Sequence, residues 1–166
     1  MGTRRVARTC RVEVEVAASI ESVWRVVSDV TRTGEWSHEC LQVDWLDGAS
    51  LAAPGVRFRG RNRSLWLRWS RTCEVLSVAA PHQIAWRTIP TLLFVDSTDW
   101  RIDLEPAGQG TRIVQTFQVT RCPRWWEWIV ARLNSPHIDR SAALTADLQR
   151  IGEVAAAERR AAGPLP

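Results

Sequence analysis

Between Glu39 and Thr120 apolar side chains recur at every second position, a period that a β-strand with one buried face satisfies and a helix does not. Turn-forming residues cut this stretch at Asp47-Gly48, Pro54-Gly55, Ala80-Pro81-His82 and Pro106 to Gly110. Six strands result, near 39–46, 56–63, 67–78, 83–89, 96–105 and 111–120. The connections are short, so neighbours are expected to pair antiparallel as a meander. A seventh strand precedes them, where Val12, Val14 and Val16 alternate with Arg11, Glu13 and Glu15. A sheet of that size twists and curls, leaving one concave apolar face to be covered.

Helical spacing supplies the cover. Ser19 is placed to cap a helix whose apolar positions Ile20, Val23, Trp24 and Val27 fall three and four apart, and a second short turn is expected over Thr31 to Trp36. In the last third, Trp126, Val130, Leu133, His137, Ser141, Leu144, Leu148 and Ile151 form one stripe of a long amphipathic helix. Pro136 lies inside that stripe. It deletes a backbone hydrogen bond and clashes with the preceding turn, which predicts a kink, or a break into two helices, near Asn134 to Pro136. The fold class is therefore α+β, with one domain over residues 8–155 and a flexible tail over 156–166.

A chain of 166 residues is long enough for one substantial core. Its 22 basic residues are all arginine, and the net charge is +4. Arg57, Arg59, Arg61 and Arg63 alternate with Val56, Phe58, Gly60 and Asn62, which puts four guanidinium groups on one face of a strand. A solvated outer face is the expectation there, in preference to a nucleic-acid or membrane-surface patch. Cys10, Cys40, Cys73 and Cys122 are scattered, with no C-x-x-C to suggest zinc. With a polar segment from Met1 to Arg8 and no apolar run behind it, the reading is a cytoplasmic chain with free thiols. No stretch approaches the length of a membrane span. No metal or cofactor motif is present, so none is expected.

The segment VAASIESVWRVVSDVTRTGEWS (Val16 to Ser37) resembles the opening of the START-like SRPBCC superfamily, the polyketide cyclase/dehydrase and lipid-transport group. GVRFRGRNR at Gly55 to Arg63, the strand from Trp69 to Val75, and GTRIVQTFQV at Gly110 to Val119 extend the likeness over about residues 8 to 155. The resemblance implies a helix-grip fold: a curved seven-stranded antiparallel sheet wrapped around a long C-terminal helix, with two short helices after the first strand. It also implies an internal cavity for lipids, polyketides or similar apolar ligands, with some members cyclising or dehydrating polyketide chains. Some relatives of this architecture are interaction modules, and in that reading the four-arginine strand would contact RNA or protein.

On that architecture the expected cavity lining is Val43, Trp45, Phe58, Asn62, Trp69 and Trp86. To these are added Trp100, Ile113, Gln115 and Phe117, with Trp126, Val130 and Leu133 closing the space from the helix. Asn62 and Gln115 interrupt apolar alternation with groups that are costly to bury unpartnered, so each is a candidate to orient a polar end of the ligand or to bond within the core. In related members a carboxylate often stands at the position of Gln115, and an amide there cannot serve as acid or base. His38, beside Glu39 and Cys40, is the candidate proton-transfer group, since imidazole exchanges protons near neutral pH. The competing reading is a solvent-facing loop histidine, because the sequence places no orienting acid near it. His82 and His137 have no visible partner. The expected role is carriage or sensing of a hydrophobic small molecule, with polyketide cyclisation, aromatisation or dehydration as the catalytic alternative. The oligomeric state is left open.

Overall fold

The computed structural model describes residues 5–161. Strand β1 (Thr9–Val16) leads into helix α1 (Ile20–Ser28), a 3-10 turn (Val30–Arg32) and helix α2 (Thr33–Trp36). Six strands follow: β2 (Cys40–Trp45), β3 (Arg57–Ser64), β4 (Leu67–Ala79), β5 (Gln83–Thr88), β6 (Ser97–Ala107) and β7 (Gly110–Arg121). Helix α3 (Arg124–Leu133), a second 3-10 turn (Ser135–His137) and helix α4 (Ser141–Ala161) complete the order. The strands form one curved seven-stranded antiparallel sheet in the order β1-β7-β6-β5-β4-β3-β2, a meander closed by β1 on its far edge. This is the expected α+β helix-grip architecture.

Local chemistry accounts for the elements. Ser19 caps α1, its hydroxyl accepting the Ser22 N–H at 3.3 Å. Phe58 and Gly60 are buried while Arg57, Arg59, Arg61 and Arg63 are exposed, as the period of two requires. On that outer face Arg57 pairs with Asp47 and Arg61 with Asp44. In β4 the register shifts between Val75 and Ser77, a bulge that bends the longest strand and lets the sheet curve.

Of the two outcomes expected at Pro136, a kink or a break, the structure shows the break into two helices. The backbone leaves α3 at Leu133, passes through the 3-10 turn and re-enters helix at Ser141. Trp126 and Val130 therefore belong to a short roof helix, separate from the 21-residue α4. Helix α4 continues through Ala161, so it extends into the expected tail, of which residues 162–166 lie outside the described residues.

Two apolar clusters flank the interior. The larger joins α1 and α4 to β1, β5, β6 and β7 through Val23, Ile84, Ile102, Ile113, Leu148 and Ile151. The smaller joins Val30 to Val43, Phe58, Cys73 and Val75, and Val78 and Trp86 touch both. The approach of α4 to β1 is set by Gly152, where any Cβ would stand 2.5 Å from Cγ1 of Val16. Replacing Gly152 with Leu is expected to push α4 off the sheet and cost about 1–3 kcal/mol in denaturant unfolding, outweighing the gain in helix propensity.

Candidate functional site

Between the two clusters the sheet and helices enclose a cavity of about 220 Å³. An engineered apolar cavity of about 150 Å³ already takes up benzene, so this one has room for a guest larger than a single aromatic ring. Its wall is set by register. Trp86, Trp100 and Phe117 are direct cross-strand partners on β5, β6 and β7, and their inward faces form one aromatic row. Trp86 and Trp100 stack with centroids 6.3 Å apart, and Trp100 meets Phe117 at 4.9 Å. Such rows supply most of a pocket's affinity for flat apolar molecules.

Of the thirteen side chains expected to line the cavity, ten do: Val43, Phe58, Asn62, Trp69, Trp86 and Trp100, with Gln115, Phe117, Trp126 and Val130. Three do not. Ile113 faces inward but lies deeper, fully buried in the core under the helices. Trp45 pairs across the strands with Phe58 and packs edge-on to it at 6.0 Å, outside the cavity lining. Leu133, the last residue of α3, turns outward and is nearly half exposed.

The wall also carries charges that the sequence reading passed over. Arg140, just before α4, lays its guanidinium over Trp100 at 5.0 Å and over Phe117 at 5.8 Å. Glu39 holds it there, hydrogen-bonded to Arg140 on one carboxylate oxygen and to His137 Nε2 on the other, the latter at 2.8 Å. Burial alone would push the Glu39 carboxyl up. Arg140 and His137 outweigh that and hold it at about 2. On the opposite wall Arg71 is gripped by Asp96, with Nη1 3.0 Å from both carboxylate oxygens and Nη2 2.9 Å from the backbone oxygen. The Trp126 indole donates to the same carboxylate at 2.8 Å, so α3 is tied to β4 through Asp96. The alternation that places Trp69 inward places Arg71 inward as well.

His38 has the orienting acid that the sequence did not reveal. Asp147, on the buried stripe of α4, accepts from the His38 backbone N–H at 2.8 Å and meets Nδ1 of the ring at 2.6 Å. Arg150 also donates to Asp147, at 2.6 Å, and to the carbonyl of Trp36. A carboxyl surrounded by donors accepts from Nδ1–H, so the neutral tautomer of this ring carries its lone pair on Nε2. His38 and Asp147 both belong to the cavity wall. His137 likewise gains a partner in Glu39, whereas His82 stands at the other end of the sheet, its Nδ1 3.4 Å from the carbonyl of Leu104.

Five buried side-chain polar atoms have no hydrogen-bond partner among the described residues, and four of them belong to the wall: Trp36 Nε1, Arg71 Nε, Arg140 Nε and Gln115 Oε1. Native interiors leave few such groups, and each costs free energy unless something meets it. Residues of the wall thus carry three unpartnered donors and one unpartnered acceptor around an aromatic row. Cys40 and Cys73 also face the cavity, but burial pushes their thiols up to about 11 and about 12, which keeps them protonated and poor nucleophiles. Among the described residues no group of three His, Cys, Asp or Glu side chains is arranged to hold a metal ion.

A family profile described as polyketide cyclase/dehydrase and lipid transport matches residues 7–149. Comparison with curated proteins finds no match. Among solved structures, the Zhui aromatase/cyclase from Streptomyces sp. R1128 superposes with a TM-score of 0.72 at 20% identity, over 95% of this chain and 99% of that one. TTHA0849 from Thermus thermophilus gives 0.66 at 15% identity, over 90% and 98% of the two chains. DynU16, a protein in the dynemicin biosynthetic locus, gives 0.58 at 15% identity over 89% of this chain and 46% of its own. These likenesses are likenesses of fold.

The Glu39 cluster makes a prediction about acid. Its folded value lies near 2 against an ordinary 4.5, so the pair adds stability that is fully present above about pH 4.5 and is lost as pH falls toward 2. Denaturant unfolding of the wild type across that window should lose on the order of a few kcal/mol more than Glu39→Gln does. Parallel curves for the two proteins would show that the pair contributes nothing.

Proposed function

Starting from the membership of this chain in the polyketide cyclase/dehydrase and lipid transport family, we propose that its cavity binds a flat, polyketide-like aromatic molecule bearing carbonyl and hydroxyl oxygens. The observation that carries this reading is the set of unpartnered polar atoms on the wall, three donors and one acceptor, grouped around the Trp86–Trp100–Phe117 row. A purely hydrocarbon guest would leave all four unmet. A guest with carbonyl oxygens accepts from Arg140, Arg71 and Trp36, and a guest hydroxyl donates to Gln115. Gln115 stands two residues from Phe117 on the same strand face, which puts acceptor and aromatic row within about 7 Å of each other and within reach of one fused-ring system.

Five of the ten tryptophans line the cavity, so ligand uptake is readable in intrinsic fluorescence. Emodin, a trihydroxyanthraquinone, is expected to quench the emission saturably with a one-to-one stoichiometry. Gln115→Leu should weaken emodin about tenfold while leaving unsubstituted anthraquinone unchanged, because only the hydroxylated ring uses the amide. Absence of saturable quenching by emodin, naphthoic acid and fatty acids alike would overturn the reading.

A catalytic second reading is favoured by the fixed tautomer of His38. With Nδ1–H held by Asp147, Nε2 can take a proton from the acidic carbon between two carbonyls. The enolate so formed attacks a second carbonyl of the same chain, the new alkoxide is reprotonated from Nε2–H, and guanidinium groups on the wall stabilise the charge on oxygen. His38→Ala should then lower the rate of cyclisation or dehydration of a β-polyketone about 100- to 10,000-fold with emodin binding changed by less than about threefold. Undiminished turnover removes His38 from the chemistry and leaves the carrier reading in place.

A further inference from the structure

We propose that the end of the protein where the cavity is roofed docks onto an anionic lipid bilayer. This rests on the outer surface, whatever the cavity holds. Leu65 and Trp66 at the β3–β4 hairpin tip, Leu92 and Leu93 in the β5–β6 loop, and Trp125 and Trp128 on the outer face of α3 are each more than half exposed. They share one end of the molecule. The Ser64 hydroxyl donates to Asn134 Oδ1 at 2.8 Å, joining the hairpin tip to the end of α3, and Phe94 packs edge-on to Trp126 at 5.9 Å, joining the loop to the same helix. Single exposed apolar residues are ordinary, but six of them grouped on three segments mark an interaction surface.

The hairpin tip shows that this exposure is not incidental. Its two turn residues are Leu65 and Trp66, where Asn and Gly fit best, and Leu65 takes a left-handed backbone with φ 54°. A strained, solvated Leu-Trp tip stabilises nothing inside the protein. Indole rings favour the boundary between water and hydrocarbon, as do leucines standing out from loop tips.

Charge selects the kind of surface. Arg63, Arg68, Arg121, Arg124 and Arg132 are interleaved with these side chains, and none forms an ion pair among the described residues. On the rest of the outer sheet face, by contrast, Arg57, Arg61, Arg87, Arg101 and Arg112 each meet a carboxylate, with Arg59 the exception among the described residues. Arg132 lies over the exposed Trp128 ring at 4.9 Å, a cation beside an indole. Unpaired guanidinium groups around protruding apolar side chains complement lipid phosphates around an acyl interior. No helix of the described residues is long and apolar enough to cross a membrane, so the contact is peripheral. Helix α3 faces both ways: Trp126 and Val130 roof the cavity while Trp125 and Trp128 meet the bilayer, which gives an apolar ligand a path that avoids water.

Co-sedimentation with vesicles tests this. The full chain should pellet with phosphatidylcholine vesicles containing about one third phosphatidylglycerol, show a blue shift of tryptophan emission, and stay in solution with phosphatidylcholine alone or at high salt. Trp125→Ala/Trp128→Ala and, separately, Arg124→Glu/Arg132→Glu should each lower partitioning about tenfold or more, with unchanged thermal unfolding because all four side chains are exposed. Arg59→Glu, on the outer sheet face, should leave it unchanged. The proposal is overturned by absence of pelleting on anionic vesicles at low salt, by pelleting that survives the tryptophan variant, or by equal loss in Arg59→Glu. Chemical cross-linking that finds the exposed indoles buried between two copies of the chain would overturn it as well.

Discussion

One buried carboxylate holds the grip closed. Asp147 projects from the apolar stripe of α4 and takes hydrogen bonds from the backbone and ring of His38 and from Arg150, which itself reaches the carbonyl of Trp36. That network ties the covering helix to the segment that enters β2, across more than 100 positions of sequence. A carboxyl group so deep is tolerated because its oxygens are met by donors, and removing one partner would leave it buried and uncompensated. The same bonds orient the imidazole. Stability of the lid and readiness of the candidate base therefore come from one arrangement.

The interior divides into an apolar half and a polar-walled half. Below, α1 and α4 press Val23, Leu148 and Ile151 onto Ile84, Ile102 and Ile113. Above, the space is kept open by side chains that brace one another: Glu39 holds Arg140 over the aromatic row, and Asp96 links Arg71 to the roof helix through Trp126. Charged pairs resist the collapse that would close a cavity lined by alkyl groups alone, since folding them inward would strip their hydrogen bonds. The break at Pro136 belongs to the same design. It frees α3 to cross the top of the sheet while α4 runs along it.

Much of the fold is legible in the sequence because it depends on short-range periods. Alternation finds all six strands of the meander, Ser19 announces α1, and Pro136 marks the break between helices. The site is legible in part, since alternation reports which face a residue takes but not how deep it lies. Val43 and Trp45 share a face, yet one lines the cavity and the other packs edge-on to Phe58 outside the lining; Ile113 and Gln115 divide in the same way. Two charged residues left signals that go unread when acids and bases are assumed to face water: Arg71 has the parity of Trp69, and Asp147 falls on the stripe of Leu144, Leu148 and Ile151. Arg140 and Asp96 left none. Each sits outside a strand or helix, where no period applies, and its position is decided by a partner distant in the chain.

The account stands on an open space whose wall asks for an oxygenated aromatic guest. The most direct measurement is a crystal structure of the protein soaked with emodin. It should show one ring system against Trp100 and beneath Arg140, with a hydroxyl on Gln115 Oε1 and a carbonyl facing a guanidinium. A structure in which Trp86, Trp100 and Phe117 close on one another, Gln115 and Arg140 find partners within the protein, and no guest density lies between sheet and roof would contradict it.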